Sequence, residues 1–401
     1  MSMTNRHRML AAIRGEPTDQ LPWAPRLDLW YRANKLASTL PSEYRNASLM
    51  DLLDDLGWGY HAVIPNYKDL RDSTDEDHKA IGIYNLWMMP TRTVLENVDY
   101  VVERHGDETR VEYNTPHGKI STTMIYNETM LQSGITSPHV SERAIKGRED
   151  YAPIASIFEN ARVLPNYDGY QDYIDLIGER GVATGYLALA GSPMHLLQLI
   201  LMPFELFIYE LHDHPDEVAQ CAQSIGDHFE HALEVALGAP GEAYLIGENY
   251  DATLTPPPFF ENHIVPWQQK FAGALHAEGK LLVNHTDGEN TGLLDHYLAC
   301  GFDVADAICP APMTKLTLNQ VREHFEGKIS VIGGIPSVAL LKDSFSDLEF
   351  EAYLDQLFSS LGTGEHLILG IADTTPPAAE FERLKTIARY VEEFGPVNPV
   401  A

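Results

Sequence analysis

The feature that most constrains the fold is an alternation of short apolar runs with helical patterns, regular from about residue 150 onward. The run at 280–285 reads KLLVNH and is followed by a helical pattern at 289–300. A near-continuous apolar run is typical of a parallel strand covered on both faces, and this spacing indicates right-handed crossovers. Eight strands are predicted, at 21–30, 59–65, 182–190, 243–248, 280–285, 302–309, 328–334 and 366–371. Eight strands favour an α/β fold of the (β/α)8 TIM barrel type over an open sheet.

Two stretches in the first third of the chain depart from this alternation. Residues 4–15 predict a short helix that Thr4 caps and Gly15 ends. Residues 97–126 contain short β-rich runs separated by turn clusters, which is typical of an antiparallel meander. Because the meander is too small to have its own core, we predict one barrel domain over residues 1–401 with 97–126 as an insertion.

Composition excludes several classes of partner. The net charge is −30, from 28 basic and 58 acidic side chains. Such a field repels nucleic acid and anionic lipid, so neither is predicted as a partner. The three cysteines, Cys221, Cys300 and Cys309, form no disulfide pattern and fit a reducing compartment. No apolar run is long enough to span a membrane and the first residues lack signal-peptide features, so a cytoplasmic location is predicted.

Polar and titratable residues follow the predicted strands at their carboxyl ends. They are Asp28, Tyr31, Glu248, Asn249, His285, Asp287, Cys309 and Asp373. In a barrel these ends converge on one mouth, where enzymes of this fold place their chemistry. Several carboxylates in one small volume repel each other unless a cation or protons offset the charge. A divalent metal is the simplest solution, and imidazole, thiolate and carboxylate together suit zinc.

The same residues also allow plain structural explanations. The stretch 280–288, KLLVNHTDG, could be a polar turn with a hydrogen-bonded histidine. Glu248 could cap the next segment, and Cys309 could be a small buried hydrophobic residue before a proline. Asp373 could be the N-cap of the last helix. No HExxH or CxxC spacing occurs, so the metal prediction depends on the topology.

Six short motifs, in their order and spacing, resemble the uroporphyrinogen decarboxylase superfamily. They are GSPM (191–194), GEN (247–249), VNHTDG (283–288), GFDVADAICPAPM (301–313), ISVIGGIP (329–336) and LILGIADTTPP (367–377). The resemblance covers nearly the whole chain and implies the same barrel. The decarboxylases of the superfamily use no metal and hold an octacarboxylate with an arginine-rich segment near the first strand. Here that segment reads PRLDLWYRANK, with Asp28 and Leu29 where basic residues would be needed, so porphyrinogen decarboxylation is not expected.

The other branch of the superfamily comprises cobalamin-dependent methyltransferases, which bind zinc through H-x-C after strand five and a cysteine after strand eight. This sequence keeps His285 but has Asp287 and Asp373 at the cysteine positions. Members that act on methyl ethers use glutamate and histidine instead, which fits Glu248 and His285. The predicted metal ligands are therefore Glu248, His285 and Cys309, with Asp287 as the catalytic residue. The predicted substrate-binding residues are Asp28, Tyr31, Asn249 and Asp373, and Asp287 or Asp373 is a candidate to orient His285.

The resemblance implies a Zn²⁺-dependent methyltransferase that moves a methyl group from a methyl ether, above all a methoxylated aromatic, to cobalamin. The chain has no cobalamin-binding D-x-H-x-x-G, so the cobalamin is expected on a separate corrinoid-binding protein. Carboxylates and imidazole leave zinc harder than two thiolates do, which suits activation of an ether oxygen. Two alternatives stay open: a metal-free decarboxylase or lyase, and a non-catalytic binding member of the fold.

Overall fold

The computed structural model describes residues 2–62, 77–135, 137–247 and 249–398. Its β-strands are β1 (Thr91–Leu95), β2 (Asp99–His105), β3 (Glu108–Thr115), β4 (Gly118–Ile125), β5 (His139–Glu142), β6 (Ala161–Pro165), β7 (Thr184–Ala188), β8 (Ala243–Ile246), β9 (Leu281–His285), β10 (Val304–Ile308), β11 (Ser330–Ile335) and β12 (Leu367–Ile371). Strands β7 to β12 form one parallel sheet in sequence order. All six were predicted as strands, and their residues are almost all buried, as two covered faces require.

The α-helices pack around this sheet or connect its strands. They are α1 (Asn5–Ile13), α2 (Asp28–Ala37), α3 (Leu49–Leu56), α4 (Glu128–Gln132), α5 (Tyr151–Glu159), α6 (Tyr167–Ile177), α7 (Pro193–Leu196), α8 (Phe204–Asp213), α9 (Pro215–Leu237), α10 (Pro257–Phe259), α11 (Val265–Ala277), α12 (Leu294–Cys300), α13 (Leu318–Phe325), α14 (Asp347–Ser360) and α15 (Phe381–Phe394). Within the described parts of the chain, no helix has both the length and the apolar content needed to cross a membrane.

Two extended segments close the barrel between β12 and β7. The Ala24 N–H donates to the Leu369 carbonyl of β12 (2.9 Å), and the Gly59 N–H donates to the Trp23 carbonyl (2.9 Å). On the other side, the Thr184 N–H of β7 donates to the Ala62 carbonyl (3.1 Å). Segments 21–25 and 59–62 therefore occupy the first two strand positions and complete the TIM-barrel-like fold.

The predicted first strand is wrong in its second half, and the second strand is described only in part. Pro22 and Pro25 lack N–H donors, so segment 21–25 makes only an isolated bridge, and the chain then turns into α2 at Asp28. Asp28 and Tyr31 therefore lie on a helix. Residues 63–65 of the second predicted strand lie outside the described residues.

The antiparallel strands predicted within 97–126 are present. Strands β2, β3, β4 and β5 form a four-stranded antiparallel sheet in that order, and β1 pairs separately with β6. One face of the larger sheet is buried through Val111, Tyr113 and Ile120. These side chains belong to the same hydrophobic core as the barrel. That the sheet is a dispensable insertion stays a prediction.

The N-terminal helix closes the amino end of the barrel. The Thr4 hydroxyl caps α1 by accepting from the His7 N–H (3.2 Å), as predicted. Met9 and Ile13 of α1 line a small cavity inside the barrel together with Val283 and Ile332. This plug leaves the opposite end, where the strand carboxyl ends converge, as the place for a site.

Candidate active site at the barrel mouth

An irregularity in strand β10 lies next to the centre of the site. Between Ala305 and Ile308 the pairing with β11 shifts by one residue, which is a β-bulge. Within it, Ala307 has a φ of 62°, a left-handed conformation that is strained for a residue with a side chain. The neighbour of Ala307 is Asp306, whose side chain is fully buried. Bulges of this kind are over-represented next to active sites.

Asp306 holds His285, the last residue of β9, from the side away from the mouth. The Nδ1–H of His285 donates to Asp306 Oδ2 at 2.6 Å, and both side chains are buried. The backbone fixes the same pair, because the Thr286 N–H and hydroxyl both donate to the Asp306 carbonyl (2.8 and 2.9 Å). A carboxylate can only accept, so Nδ1 carries the proton and Nε2 of His285 keeps its lone pair.

A second histidine binds the other oxygen of the same carboxylate. The Nε2–H of His61, in extended segment 59–62, donates to Asp306 Oδ1 at 2.7 Å. The His61 side chain is buried, and within the described part of the chain its Nδ1 has no hydrogen-bond partner. Asp306 therefore accepts hydrogen bonds from two imidazoles inside the barrel.

Asp373 reaches the site from the carboxyl end of β12. Its Oδ1 lies 3.7 Å from His285 Nε2 and accepts a hydrogen bond from Arg26 Nη1 at 2.7 Å. The backbone of Asp373 has a φ of 55°, which is uncommon for a residue other than glycine. This strain places the carboxylate beside His285, and Arg26 holds it there.

Asp287 completes a cluster of three donor groups. One donor atom each from His285, Asp287 and Asp373 lie within 4.8 Å of one another. His285 is buried, whereas the two carboxylates are half-buried and accessible from the mouth. The structure thus brings together three of the residues predicted from strand ends.

Electrostatics in the site follow from burial and these close contacts. Burial opposes ionisation of Asp306, but the two imidazoles outweigh it and hold the pKa of this carboxyl well below its usual range. Burial likewise disfavours the charged imidazole of His285, yet Asp306, with help from Asp373, raises the pKa of His285. Burial, reinforced by the charge of Asp373, raises the pKa of Asp287. Three acidic groups in one region make the site attractive to a cation.

The donor set fits zinc. The ion takes imidazole nitrogen at about 2.0 Å and carboxylate oxygen at about 2.0–2.2 Å, and it keeps a fourth position open in catalytic sites. His285 would offer Nε2 while Asp306 holds Nδ1, which is how metal-binding histidines are usually oriented. Asp287 and Asp373 would supply oxygen, with Asp373 shared between the ion and Arg26.

The other predicted site residues lie elsewhere. Glu248 lies outside the described residues, and Asn249 is exposed with a φ of 36°. Cys309 is buried at the end of β10 with its Sγ 3.7 Å from Met313 Sδ, and it is not part of the three-residue cluster. Burial, together with the charges of Asp287 and Asp373, raises the pKa of the Cys309 thiol to about 12, so the thiol is neutral.

Asp28 and Tyr31 do not join the cluster either. Asp28 begins α2 and its Oδ1 accepts from the Tyr60 hydroxyl at 2.8 Å. The Tyr31 hydroxyl donates to the Ala47 carbonyl at 2.7 Å. Both residues line a cleft that α2, α3 and α6 form.

Three residues of the site were not predicted: Asp306, His61 and Arg26. A signal for Asp306 was available, because an aspartate inside the buried run VADAI is rare unless it is paired. His61 offered a weaker signal as a polar residue in the second predicted strand. The pairing of Arg26 with Asp373 joins residues 347 positions apart, and no local pattern reveals such a contact.

Comparison with known proteins places this site in a family. Residues 133–394, more than half of the chain, match the sequence profile of the family described as uroporphyrinogen decarboxylase (URO-D). Comparison with curated protein sequences gives no match. Among solved structures, the chain is similar to a methyltransferase from Methanosarcina mazei, with a TM-score of 0.54 and 15% identity over 98% of this chain and 99% of that one. At this identity the likeness concerns the fold.

Proposed function

Since the chain belongs to the uroporphyrinogen decarboxylase (URO-D) family, we propose that it is a methyltransferase of this fold. It takes a methyl group from a methyl ether, in particular a methoxylated aromatic compound, and passes it to a corrinoid carried by a separate protein. The similar fold of a methyltransferase from Methanosarcina mazei supports the general reaction class. The family resemblance of the motifs supports the corrinoid as acceptor.

The observation that carries this proposal is the donor set of the mouth. One imidazole and two carboxylates converge within 4.8 Å, and the buried thiol of Cys309 is not among them. Oxygen and nitrogen donors leave zinc hard, whereas two thiolates would soften it toward sulfur substrates. Bound zinc would supply Lewis acidity to the ether oxygen, which is a poor leaving group without it.

The chain's own residues have separable roles in this reaction. His285 presents Nε2 to the mouth because Asp306 holds its Nδ1–H at 2.6 Å. Asp373 is kept beside His285 by Arg26. Asp287 is half-buried next to both, and we assign it as the third donor to the ion. The ether C–O bond breaks with its electron pair left on the oxygen, and the methyl group bonds to the cobalt of a reduced corrinoid, which supplies the electron pair of the new bond. The phenolate then takes a proton from water and becomes a phenol.

Metal analysis of wild type and two histidine variants tests the site. Wild type should hold about one zinc per chain and His285→Ala close to none. His276→Ala is a matched control, because His276 is also paired with an aspartate but is 43% exposed on α11. Zinc retained in full by His285→Ala would place the metal elsewhere, and wild type without zinc would favour the metal-free alternative.

Activity is tested with a reduced corrinoid on a carrier protein and a panel of methyl ethers, methylamines and thioethers. Methoxylated aromatics should methylate the corrinoid, which its visible spectrum reports, and coenzyme M should be a poor acceptor. Asp287→Cys introduces a thiolate and should shift the preference toward thiols. Ready methylation of thiols by wild type would contradict an oxygen-directed site.

A further inference from the structure

A second site lies on the outer side of the barrel wall. It is a cleft of about 500 Å³ that α2, α3 and α6 line, a volume in the range of small-molecule sites. His61 points into the barrel toward Asp306, so its neighbour Tyr60 faces the opposite side and lines the cleft. The cleft is also lined by three further aromatic side chains, those of Tyr31, Trp87 and Tyr173.

Asp28 brings to this cleft a buried acceptor atom with no donor among the described residues. Asp28 uses Oδ1 to accept from the Tyr60 hydroxyl, but Oδ2 is buried and accepts no hydrogen bond from the residues that the structure describes. Burial also raises the pKa of Asp28. A buried acceptor left unsatisfied is unfavourable, and native proteins show few of them outside functional sites. The position of Asp28 in the first turn of α2 suits its charge but leaves Oδ2 without a donor.

The basic residues that line the cleft indicate which class of ligand it can bind. Lys35 and Arg32 line the same cleft. The Lys35 ammonium donates to the Tyr31 hydroxyl at 2.8 Å and lies 5.0 Å from the centre of that ring. A cationic amine would meet the Lys35 ammonium, whereas a neutral hydroxyl would not be repelled.

We propose that this cleft binds a small phenol. Its hydroxyl donates to Asp28 Oδ2, and its ring packs among Tyr31, Tyr60 and Trp87, where offset or edge contacts between aromatic rings are favourable. The cleft and the mouth cluster lie on opposite sides of segment 59–62. Binding in the cleft can therefore be measured without the metal and without methyl transfer.

The test compares two probes that differ by one hydroxyl, 4-methylphenol and toluene. The full-length protein is treated with a chelator and titrated with each, followed by ligand-observed NMR and tryptophan fluorescence. 4-Methylphenol should bind saturably and at least about tenfold more tightly than toluene, as a hydrogen bond to a charged group implies. Asp28→Leu should abolish this difference.

If Asp28→Leu fails to fold, a variant that blocks the cleft provides a second test. Leu36 lines the cleft and is 43% exposed, so Leu36→Trp should fill the cleft and remove binding of both probes. Leu348→Trp, at an 80% exposed leucine of α14, is the matched control and should bind like wild type. Equal affinity for the two probes, binding that survives Leu36→Trp, or no saturable binding would each overturn the proposal. Since the assay contains neither metal nor corrinoid, its failure would leave the proposed methyl transfer untouched.

Discussion

Strand β10 carries an aspartate–histidine pair at each end, and the two pairs differ in their surroundings. At the amino end, Asp303 accepts from His276 Nε2 at 2.9 Å, with the two side chains 25% and 43% exposed. At the carboxyl end, Asp306 accepts from His285 and His61 with all three side chains buried. The same two chemical groups therefore pair once near solvent and once in the protein interior, at aspartates three residues apart.

The difference separates a surface contact from a functional one. An exposed ion pair contributes about 0–1 kcal/mol, because water screens the attraction and the side chains lose freedom. Burying the same groups costs several kcal/mol of desolvation per ion, which close geometry only partly offsets. The buried pair lies at the barrel mouth, beside a bulge and two residues with a left-handed backbone conformation. Because burying the pair is costly, we infer that its role is to position His285.

The largest effect is expected from Asp306→Asn. The variant keeps the shape of Asp306 but removes the charge that holds two imidazoles. Zinc affinity should fall about 10–100-fold, as for other residues that orient metal ligands. The free energy of unfolding should fall by about 1–3 kcal/mol, because the amide oxygen can accept from only one of the two imidazoles and leaves the other buried N–H without an acceptor. Chelator competition and urea denaturation measure the two quantities, and an unchanged zinc affinity would show that Asp306 does not orient His285.

A smaller effect is expected from His61→Gln. His61 donates a hydrogen bond to Asp306 but is not a member of the three-residue cluster. Zinc affinity should therefore fall about tenfold, the lower end of the range for outer-shell residues, and less than in Asp306→Asn. The same chelator competition measures it. A loss larger than that of Asp306→Asn would mean that His61 itself approaches the metal.

Histidines buried without a carboxylate should make the protein sensitive to acid. Burial lowers the pKa of His228, beside Phe158, from 6.5 to about 4. Because this pKa is lower in the folded state, its stabilisation is complete above pH 6.5 and is lost as pH falls toward 4. Wild type should lose about 2 kcal/mol of unfolding free energy to this residue between pH 6.5 and 4.5. His228→Phe should lose that much less on acidification, measured by urea denaturation at both pH values, and an unchanged difference would contradict the assignment.

The smallest effect is expected from His276→Gln at the amino end of β10. It breaks the exposed pair while Asp303 keeps its hydrogen bond from the Leu282 N–H (2.7 Å). The free energy of unfolding should change by less than about 1 kcal/mol, and zinc affinity should not change. A large loss of zinc here would erase the distinction between the two ends of the strand.

Much of the fold could be predicted from the sequence, because the six strands β7 to β12 are buried on both faces and read as apolar runs. The start of the barrel was harder. The run LDLWY at 27–31 is apolar, and a short apolar run does not distinguish strand from helix. The prolines of segment 21–25 marked where regular pairing stops, which the prediction did not use.

For the candidate site, position at the strand ends predicted His285, Asp287 and Asp373, which the structure brings together. The contacts that orient them were not predictable in the same way. Asp306 meets His285 through the register between β9 and β10, and Arg26 meets Asp373 only when the barrel closes. Such features depend on long-range pairing, and periodicity reports only local structure.

The central claim is a zinc site of nitrogen and oxygen donors built on His285, Asp287 and Asp373. X-ray absorption spectroscopy of the zinc-loaded protein tests it most directly. We predict scatterers at about 2.0–2.2 Å and no sulfur shell at about 2.3 Å. Asp287→Cys serves as the control, because its zinc should acquire a sulfur scatterer that the method then detects. A sulfur shell in wild type would contradict the account and would identify a cysteine, Cys309 first of all, as a ligand.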